Sequence, residues 1–197
     1  MNYRTNVFGF PSAPELGAKE HNLGFYDQRA GLEWVQRNIH VFGGSPKKVT
    51  IFGESAGAVS VDALITSEKP GTPLFRAAIM QSGQISVSAP PNNTLITAAW
   101  TSLASALGCP SGKGSLKCMK GKSATAIESV VSHSALSFGP TFDNVTYVSD
   151  REEARVKHQI ANVPVLIGND DQEGMFKDPT LLQSFGGSTE NPQVVSL

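Results

Sequence analysis

An α/β fold with a mostly parallel central sheet flanked by helices is predicted for this chain, because short apolar runs alternate with segments of helical periodicity. The runs VTIF at 49–52 and AAIMQ at 77–81 contain few polar residues, which is typical of strands buried on both faces of a parallel sheet. VPVLIG at 163–168 predicts a further strand, with Pro164 near its start, where a missing N–H costs least. Because helical segments separate these strands, right-handed crossovers are expected.

The remaining elements follow from periodicity and capping signals. The elements predicted in chain order are a strand over 2–8, a helix over about 25–40, the strand over 49–52, a helix over about 56–66, the strand over 77–81, a helix over 94–107, a helix capped by Ser123 and the strand over 163–168. The first helix is expected to have one face formed by Leu32, Val35 and Ile39. Thr94 is expected to cap the helix whose inner face carries Leu95, Ala99, Leu103 and Leu107. The helix after Ser123 is expected to bury Ile127, Val130 and Val131.

Composition excludes several classes of function. The net charge of −1 and the pI of about 6.4 provide no positive field for a nucleic acid. No apolar run approaches the roughly 20 residues that cross a bilayer. The first residues, MNYRTNVFGFPSAP, contain no apolar segment of a signal peptide.

Gly53-Glu54-Ser55-Ala56-Gly57 matches the G-x-S-x-G pattern of a nucleophile elbow. A predicted strand precedes the motif and a predicted helix follows it, which is the context that lifts a serine hydroxyl above the sheet edge. The glycines are expected where the turn is tight and a Cβ has no room, and the Ala56 N–H is a candidate oxyanion donor at the helix start. The alternative is an ordinary glycine-rich turn.

A longer stretch around this motif resembles the type B carboxylesterase/lipase family, the cholinesterase-like branch of the α/β-hydrolases. The resemblance rests on NYRTNVFGF, NLGFYDQRAGLEWVQRNIHVFGGSPKKVTIFGESAGAVSV, LFRAAIMQSG, LGCPSGKGSLKC, FGPTFD and VPVLIGNDDQEGMF, and it extends to about residue 176. It implies an α/β-hydrolase fold and a carboxylic ester hydrolase that works through an acyl-enzyme, with no cofactor or metal and with small-molecule or lipid esters as substrates.

The resemblance also implies roles for individual residues. Ser55 would be the nucleophile, and Glu173, which precedes Gly174 as in the family's acid motif, would orient a histidine. Gln172 stands where the family usually has aspartate, so Asp170 and Asp171 are rival acids, and a solvated loop charge is the alternative for all three carboxylates. Glu54 is either a residue that shapes the electrostatics of the pocket or a buried ion-paired residue. Ser82 is either a serine near the catalytic residues or an ordinary polar residue at a strand end.

No histidine of this chain matches the base of that family. His21, His40, His133 and His158 all precede Glu173, and the hydrolase order places the histidine after the acid. The family's glycine-rich oxyanion loop is also not found before residue 8. The chain is therefore interpreted as one partial α/β-hydrolase domain over 1–197, without the oxyanion-loop and catalytic-histidine regions. Alone, it is expected to show no esterase activity above a Ser55→Ala control.

Two features favour an extracellular protein. Cys109 and Cys118 lie where the family has a small disulfide loop, with two reduced thiols as the alternative. Asn92 and Asn144 begin the sequons NNT and NVT. The alternatives to an esterase are an inert truncated product, a non-catalytic cholinesterase-like adhesion or scaffold protein, and a peptidase on the same fold. The sequence selects neither a particular ester nor an oligomeric state.

Overall fold

The centre of the fold is a parallel sheet in the computed structural model, which describes residues 1–68, 71, 73–83 and 93–170. Within these ranges three strands lie in the order β1 (Thr50–Glu54), β2 (Ala77–Gln81) and β3 (Val165–Gly168). The helices are α1 (Asn6–Gly9), α2 (Leu23–Asn38), α3 (Ala56–Ser67), α4 (Asn93–Ala106), α5 (Ser115–Lys120), α6 (Ala124–His133) and α7 (Arg151–Val156). Short 3₁₀ helices span Ala18–Glu20, Ile39–Phe42 and Pro46–Lys48. The predicted α/β class and parallel sheet are confirmed.

The register of the sheet brings the carboxyl ends of the three strands to one edge. Glu54 of β1 pairs with Gln81 of β2, and Gln81 pairs with Gly168 of β3. Because the strands are parallel, the segments that leave them emerge side by side. This edge carries the predicted serine, so the sheet places the candidate site.

Helix α3 packs against one face of the sheet and forms its core. The buried apolar side chains of this core are Ile51, Val61, Leu64, Ile65, Phe75 and Met80. Each fully buried side chain of this size contributes about 1.5–3 kcal/mol relative to exposure. The helix is therefore held firmly below the turn that begins it.

The opposite face of the sheet is exposed, which contradicts the expected burial of VTIF on both sides. Phe52 is 74% exposed and Leu166 of β3 is 64% exposed. Successive side chains of a strand point to opposite faces, so Ile51 contacts α3 while Phe52 projects away from it. Within the described residues, helix α3 covers only the face to which Ile51 belongs.

A second core lies among the helices that follow β2. Trp100 and Leu103 of α4 pack with Ile127 and Val131 of α6, and Phe138 joins the same cluster. The Ser123 hydroxyl accepts a hydrogen bond from the Ala126 N–H at 3.2 Å, so the predicted cap of α6 is confirmed.

The start of α4 differs from its prediction. The helix begins at Asn93, so Thr94 lies inside the first turn and is not its cap. Leu95 is 66% exposed, because the buried stripe of α4 begins only one turn later, at Ala99 and Trp100. The apolar spacing predicted the helix correctly but assigned one residue too many to its inner face.

The predicted strand over 2–8 is wrong. Residues 1–5 have no regular structure and α1 occupies Asn6–Gly9. The Arg4 backbone N–H and guanidinium both donate to the Asp27 carboxylate of α2, which anchors the segment to that helix. A Cβ at Gly9 would lie 2.0 Å from the Arg4 carbonyl oxygen, so the chain folds back tightly there. These contacts replace strand pairing.

We expect Asp27→Asn to make the stability of the chain less dependent on pH in the acid range. The hydrogen bond from Arg4 holds the pKa of Asp27 below its ordinary value of 3.8. The carboxylate therefore contributes stability above about pH 4, and this contribution is lost as the pH falls through the folded-state pKa. Because Arg4 is half exposed, the contribution is below about 1 kcal/mol.

Urea unfolding between pH 2 and pH 7 measures this effect. The Asp27→Asn variant should be less stable than the unmodified chain near neutrality, and the two curves should converge at low pH. Glu128→Gln, at an exposed position of α6, is the matched control. A constant difference between Asp27→Asn and the unmodified chain at all pH values would contradict the assignment.

Candidate active site

Ser55 occupies a one-residue turn between β1 and α3. Its φ of 50° and ψ of −118° lie outside the regions that ordinary side chains adopt. Such a conformation costs on the order of 1–3 kcal/mol and persists only where the surroundings enforce it. The Ser55 N–H donates to the Gln81 carbonyl at 2.9 Å, and the Ser55 carbonyl accepts from the Val59 N–H at 3.0 Å. The side chain is exposed at the sheet edge, as the elbow prediction requires.

Two glycines allow this turn to be tight. A Cβ on Gly53 would lie 2.3 Å from the backbone carbon of Gly57, and a Cβ on Gly83 would lie 2.5 Å from the Ser55 carbonyl oxygen. The predicted close approach is therefore confirmed at Gly53 and was missed at Gly83. At Gly57 the prediction is wrong, because a Cβ on this residue would meet no described atom within 4 Å.

The first turn of α3 provides backbone donors next to the serine. Ala56 is the first residue of the helix, and no side chain of the described residues caps this end. N–H groups in the first turn have no partner within the helix and carry the positive end of its dipole. The Ala56 N–H is therefore a backbone donor directly beside Ser55 in the chain.

Glu54 had two alternative interpretations, as a residue that shapes the electrostatics of the pocket or as a buried ion-paired residue. Its side chain is exposed, and no ion pair to it is found among the described residues. Within the described residues, Glu54 is therefore neither buried nor ion-paired. An exposed carboxylate directly before Ser55 makes the electrostatic potential beside the serine more negative.

Ser82 connects the end of β2 to the loop that follows β3. Its backbone N–H donates to the Gly168 carbonyl at 2.8 Å, and its Oγ accepts from the Asp170 N–H at 3.1 Å. Ser82 also has a left-handed φ of 51°. The structure thus brings Ser55, Ser82 and Asp170 to the same edge of the sheet. Asp171, Gln172 and Glu173 lie outside the described residues.

The sequence resembles that of known proteins over almost its whole length. The sequence profile of the carboxylesterase family matches residues 1–196. This chain belongs to the carboxylesterase family. That membership implies the α/β-hydrolase fold, of which the parallel sheet with its helices is a part.

The relatives of this carboxylesterase-family chain include lipases and cholinesterases. Lipase 5 of Diutina rugosa is 38% identical over 191 residues, which cover 89% of this chain and 35% of the relative. Secreted lipase 1 of Botryotinia fuckeliana is 37% identical over 190 residues, which cover 87% of this chain and 33% of the relative. Acetylcholinesterase of Danio rerio is 34% identical over 212 residues, covering 100% and 32%. The chain spans about a third of the length of these relatives.

The four histidines of the carboxylesterase-family chain do not activate Ser55 in this structure. His21 Nδ1 lies 3.4 Å from the Pro11 carbonyl, and His133 Nδ1 lies 2.7 Å from the Ser129 carbonyl. His40 belongs to the 3₁₀ helix after α2, and His158 follows α7. Within the described residues, none of them forms a hydrogen bond with the Ser55 hydroxyl. Their expected role as residues unrelated to the elbow agrees with these contacts.

The predicted disulfide is present. Cys109 and Cys118 are bonded, with their Cα atoms 5.7 Å apart, and neither cysteine is free. The bridge ties the end of α4 to α5, a helix that was not predicted. Cys109 is buried in the helical core, and the bond excludes the alternative of two reduced thiols in this structure.

Replacing both cysteines by serine is expected to lower the free energy of unfolding by about 2–3 kcal/mol. In the chain-entropy model, opening a loop of this length returns that much conformational freedom to the unfolded state. Urea unfolding of the double variant under oxidising conditions measures the loss. The unmodified chain in reducing agent should fall to the same stability. Equal stabilities of the oxidised chain and the double variant would contradict the prediction.

A buried polar network was not identified from the sequence. Asn22 is 1% exposed, and its Nδ2 donates to the Thr141 carbonyl at 2.7 Å and to Asp143 Oδ2 at 3.0 Å. The Asp143 carboxylate also accepts from Thr146 Oγ1 at 2.6 Å and from three backbone N–H groups, which belong to Val145, Thr146 and Tyr147. This network joins the start of α2 to the segment before α7. The only feature of the sequence that could have indicated this network is Asn22, an asparagine directly before α2.

The described residues contain no group of three or more metal-ligating side chains. Their helices include none that is long and apolar enough to cross a membrane.

Proposed function

We propose that this chain is the part of a longer carboxylic ester hydrolase that provides the nucleophile, Ser55. The observation that carries the proposal is the strained backbone of Ser55, with a φ of 50° and a ψ of −118°, at the exposed junction of β1 and α3. Backbone strain of this kind is often found at active sites, where the surrounding structure maintains it. Membership of the carboxylesterase family and the names of the relatives support ester hydrolysis in particular.

The proposed chemistry is acyl transfer. Ser55 Oγ attacks the ester carbonyl while a histidine takes its proton, and the resulting oxyanion is stabilised by the Ala56 N–H. The histidine returns the proton to the departing alcohol, and water then hydrolyses the acyl-enzyme. We propose that the base is a histidine other than the four of this chain, since none of the four contacts Ser55 in the structure.

Glu173 is proposed as the acid that orients this histidine, with Asp170 and Asp171 as rivals. Support comes from Asp170, which the structure describes directly after β3. The Asp170 N–H donates to Ser82 Oγ at the same edge as the elbow, so the loop enters the site region directly after β3. Because Glu173 follows Asp170 by three residues in the sequence, we propose that it lies close to this edge.

The proposed location of the parent protein is extracellular, and it is proposed to be glycosylated. The disulfide supports this location, and one relative is named a secreted lipase. Asn144 is exposed, and its Oδ1 accepts hydrogen bonds from Ser149, so these contacts do not occupy the amide nitrogen to which a glycan would be attached. Asn92, the other proposed glycan site, lies outside the described residues.

A matched pair of substrates tests the reaction class. The full-length protein that carries this chain is expected to hydrolyse p-nitrophenyl butyrate much faster than butyryl p-nitroanilide, which differs only in the scissile bond. Faster cleavage of the anilide would favour the peptidase alternative. Absence of turnover of either substrate, in a folded and secreted protein, would overturn the proposal and favour the adhesion or scaffold alternative.

A further inference from the structure

A cleft of about 500 Å³ lies away from the elbow, between α1, α4, α5 and α6. Small-molecule sites usually have volumes of about 300–1,000 Å³, apolar walls and a few polar groups. None of residues 53–57 lines this cleft. A ligand in it would therefore not occupy the position of an ester at Ser55.

The inner part of the cleft is apolar. Trp100, Met119 and Ile127 line it and are themselves buried in the helical core. The only polar atom of the Trp100 ring, Nε1, donates to Ser115 Oγ at 3.1 Å, so it needs no partner from a ligand. Phe8, which is 41% exposed, forms part of an outer wall. This lining suits a hydrocarbon chain.

The rim of the cleft is basic. Lys19, Lys120 and Lys122 line it, and Glu20 is the only acidic side chain among its lining residues. The Glu20 carboxylate accepts the Gly17 N–H at 2.8 Å, and its single negative charge leaves an excess of two positive charges at the rim. Among the described residues, no carboxylate lies within ion-pair distance of any of the three lysines. The positive charge of the rim is thus available to an anion, in a chain whose net charge is −1.

We propose that this cleft binds a free fatty carboxylate of medium chain length. The alkyl chain packs on the half-buried Leu16, Leu23 and Leu116, above the buried Trp100, and the carboxylate accepts charge-assisted hydrogen bonds from the rim lysines. An apolar interior beside a cationic rim favours this amphiphile over a neutral alcohol, which lacks the charge, and over a cationic amphiphile, which the lysines repel. The proposal requires no ester chemistry at Ser55, so it stands or falls independently of the proposed function.

Fluorescence titration with decanoate below its micellar concentration tests the site. The chain has two tryptophans, so a Trp34→Phe background leaves Trp100 as the reporter inside the cleft. We expect saturable binding of one decanoate per chain. Each methylene added between hexanoate and decanoate should tighten binding roughly fourfold, as expected for a buried alkyl chain. Decanol should bind at least about tenfold more weakly, because it cannot form the charge-assisted contacts.

Variants of the cleft test where the carboxylate and the alkyl chain of decanoate bind. Lys120→Met with Lys122→Met should weaken decanoate binding by more than about tenfold, because the charged donors are removed. Lys113→Met removes an exposed lysine of the same segment that does not line the cleft, and it should leave the affinity unchanged. Ala124→Trp, at an exposed lining position, should block binding by filling the cleft without disturbing the core.

Four results would overturn the proposal. The first is that decanoate causes no saturable change in Trp100 fluorescence, and the second is that decanol and decanoate bind with equal affinity. The third is that Lys113→Met loses as much decanoate affinity as the double-lysine variant. The fourth is that the protein binds only to vesicles of anionic phospholipid. The last result would indicate a membrane surface and not a cleft for a free carboxylate.

Discussion

Replacing Ser55 by alanine in the full-length protein is expected to lower kcat/KM for p-nitrophenyl butyrate by about 10⁴- to 10⁶-fold, the range found when a serine nucleophile is removed. The reason is that the acyl-enzyme can no longer form, while the Ala56 N–H and the substrate-binding surface remain. The variant should fold normally, because the Ser55 side chain is exposed and its elbow is held by backbone hydrogen bonds.

Ser105→Ala is the matched control for this experiment. Ser105 is an exposed serine of α4, away from the sheet edge, and its replacement should leave kcat/KM unchanged. A Ser55→Ala protein that keeps more than a tenth of the activity would show that another residue is the nucleophile.

Replacing Gly53 by alanine is expected to disable the elbow through its backbone. The new Cβ would lie 2.3 Å from the Gly57 backbone carbon and 2.4 Å from the Gly57 carbonyl oxygen. Neither atom belongs to a flexible side chain, so α3 must move away from β1. Such overpacking costs about 1–3 kcal/mol. A shift near 1 Å of Ser55 and the Ala56 N–H would lower the activity of the full-length protein by about 10²-fold.

Gly57→Ala is the matched control. It shows whether the loss in Gly53→Ala comes from the contact of the new Cβ or whether any alanine in this motif is harmful. The added Cβ would have no described atom within 4 Å, and the residue lies in the first turn of α3. In this chain Gly57→Ala should therefore be as stable as the unmodified protein, or more stable by up to about 1 kcal/mol, as alanine is the better helix former. Urea unfolding compares the two variants. Equal losses at both glycines would contradict the structural account of the elbow.

The elbow could be predicted because its cause is local. An apolar strand, a glycine two residues before the serine and a helical period directly afterwards together predict the turn that the structure contains. Gly83 escaped notice because it meets Ser55 only after β1 and β2 pair, and Ser82 and Asp170 meet only after β3 joins the sheet. These contacts depend on register, which a single sequence does not reveal.

The errors also have physical causes in distant contacts. The segment NYRTNVF was predicted as a strand, but Arg4 is held by Asp27 and the chain turns into α1. Phe52 was expected to be buried because its neighbours are apolar, yet the described residues cover only one face of β1. Asn22 and Asp143, 121 positions apart, form their buried hydrogen bond only in the folded chain.

Trapping the acyl-enzyme tests the central claim, that Ser55 is the nucleophile, most directly. The full-length protein would be mixed with p-nitrophenyl butyrate, quenched in acid within the first turnovers, digested and analysed by mass spectrometry. We predict a butyryl group on the peptide that contains Ser55, with fragment ions that place it on that side chain, and no such adduct in the Ser55→Ala protein. A butyryl group on another residue, or active turnover with Ser55 unmodified at every quench time, would contradict the account.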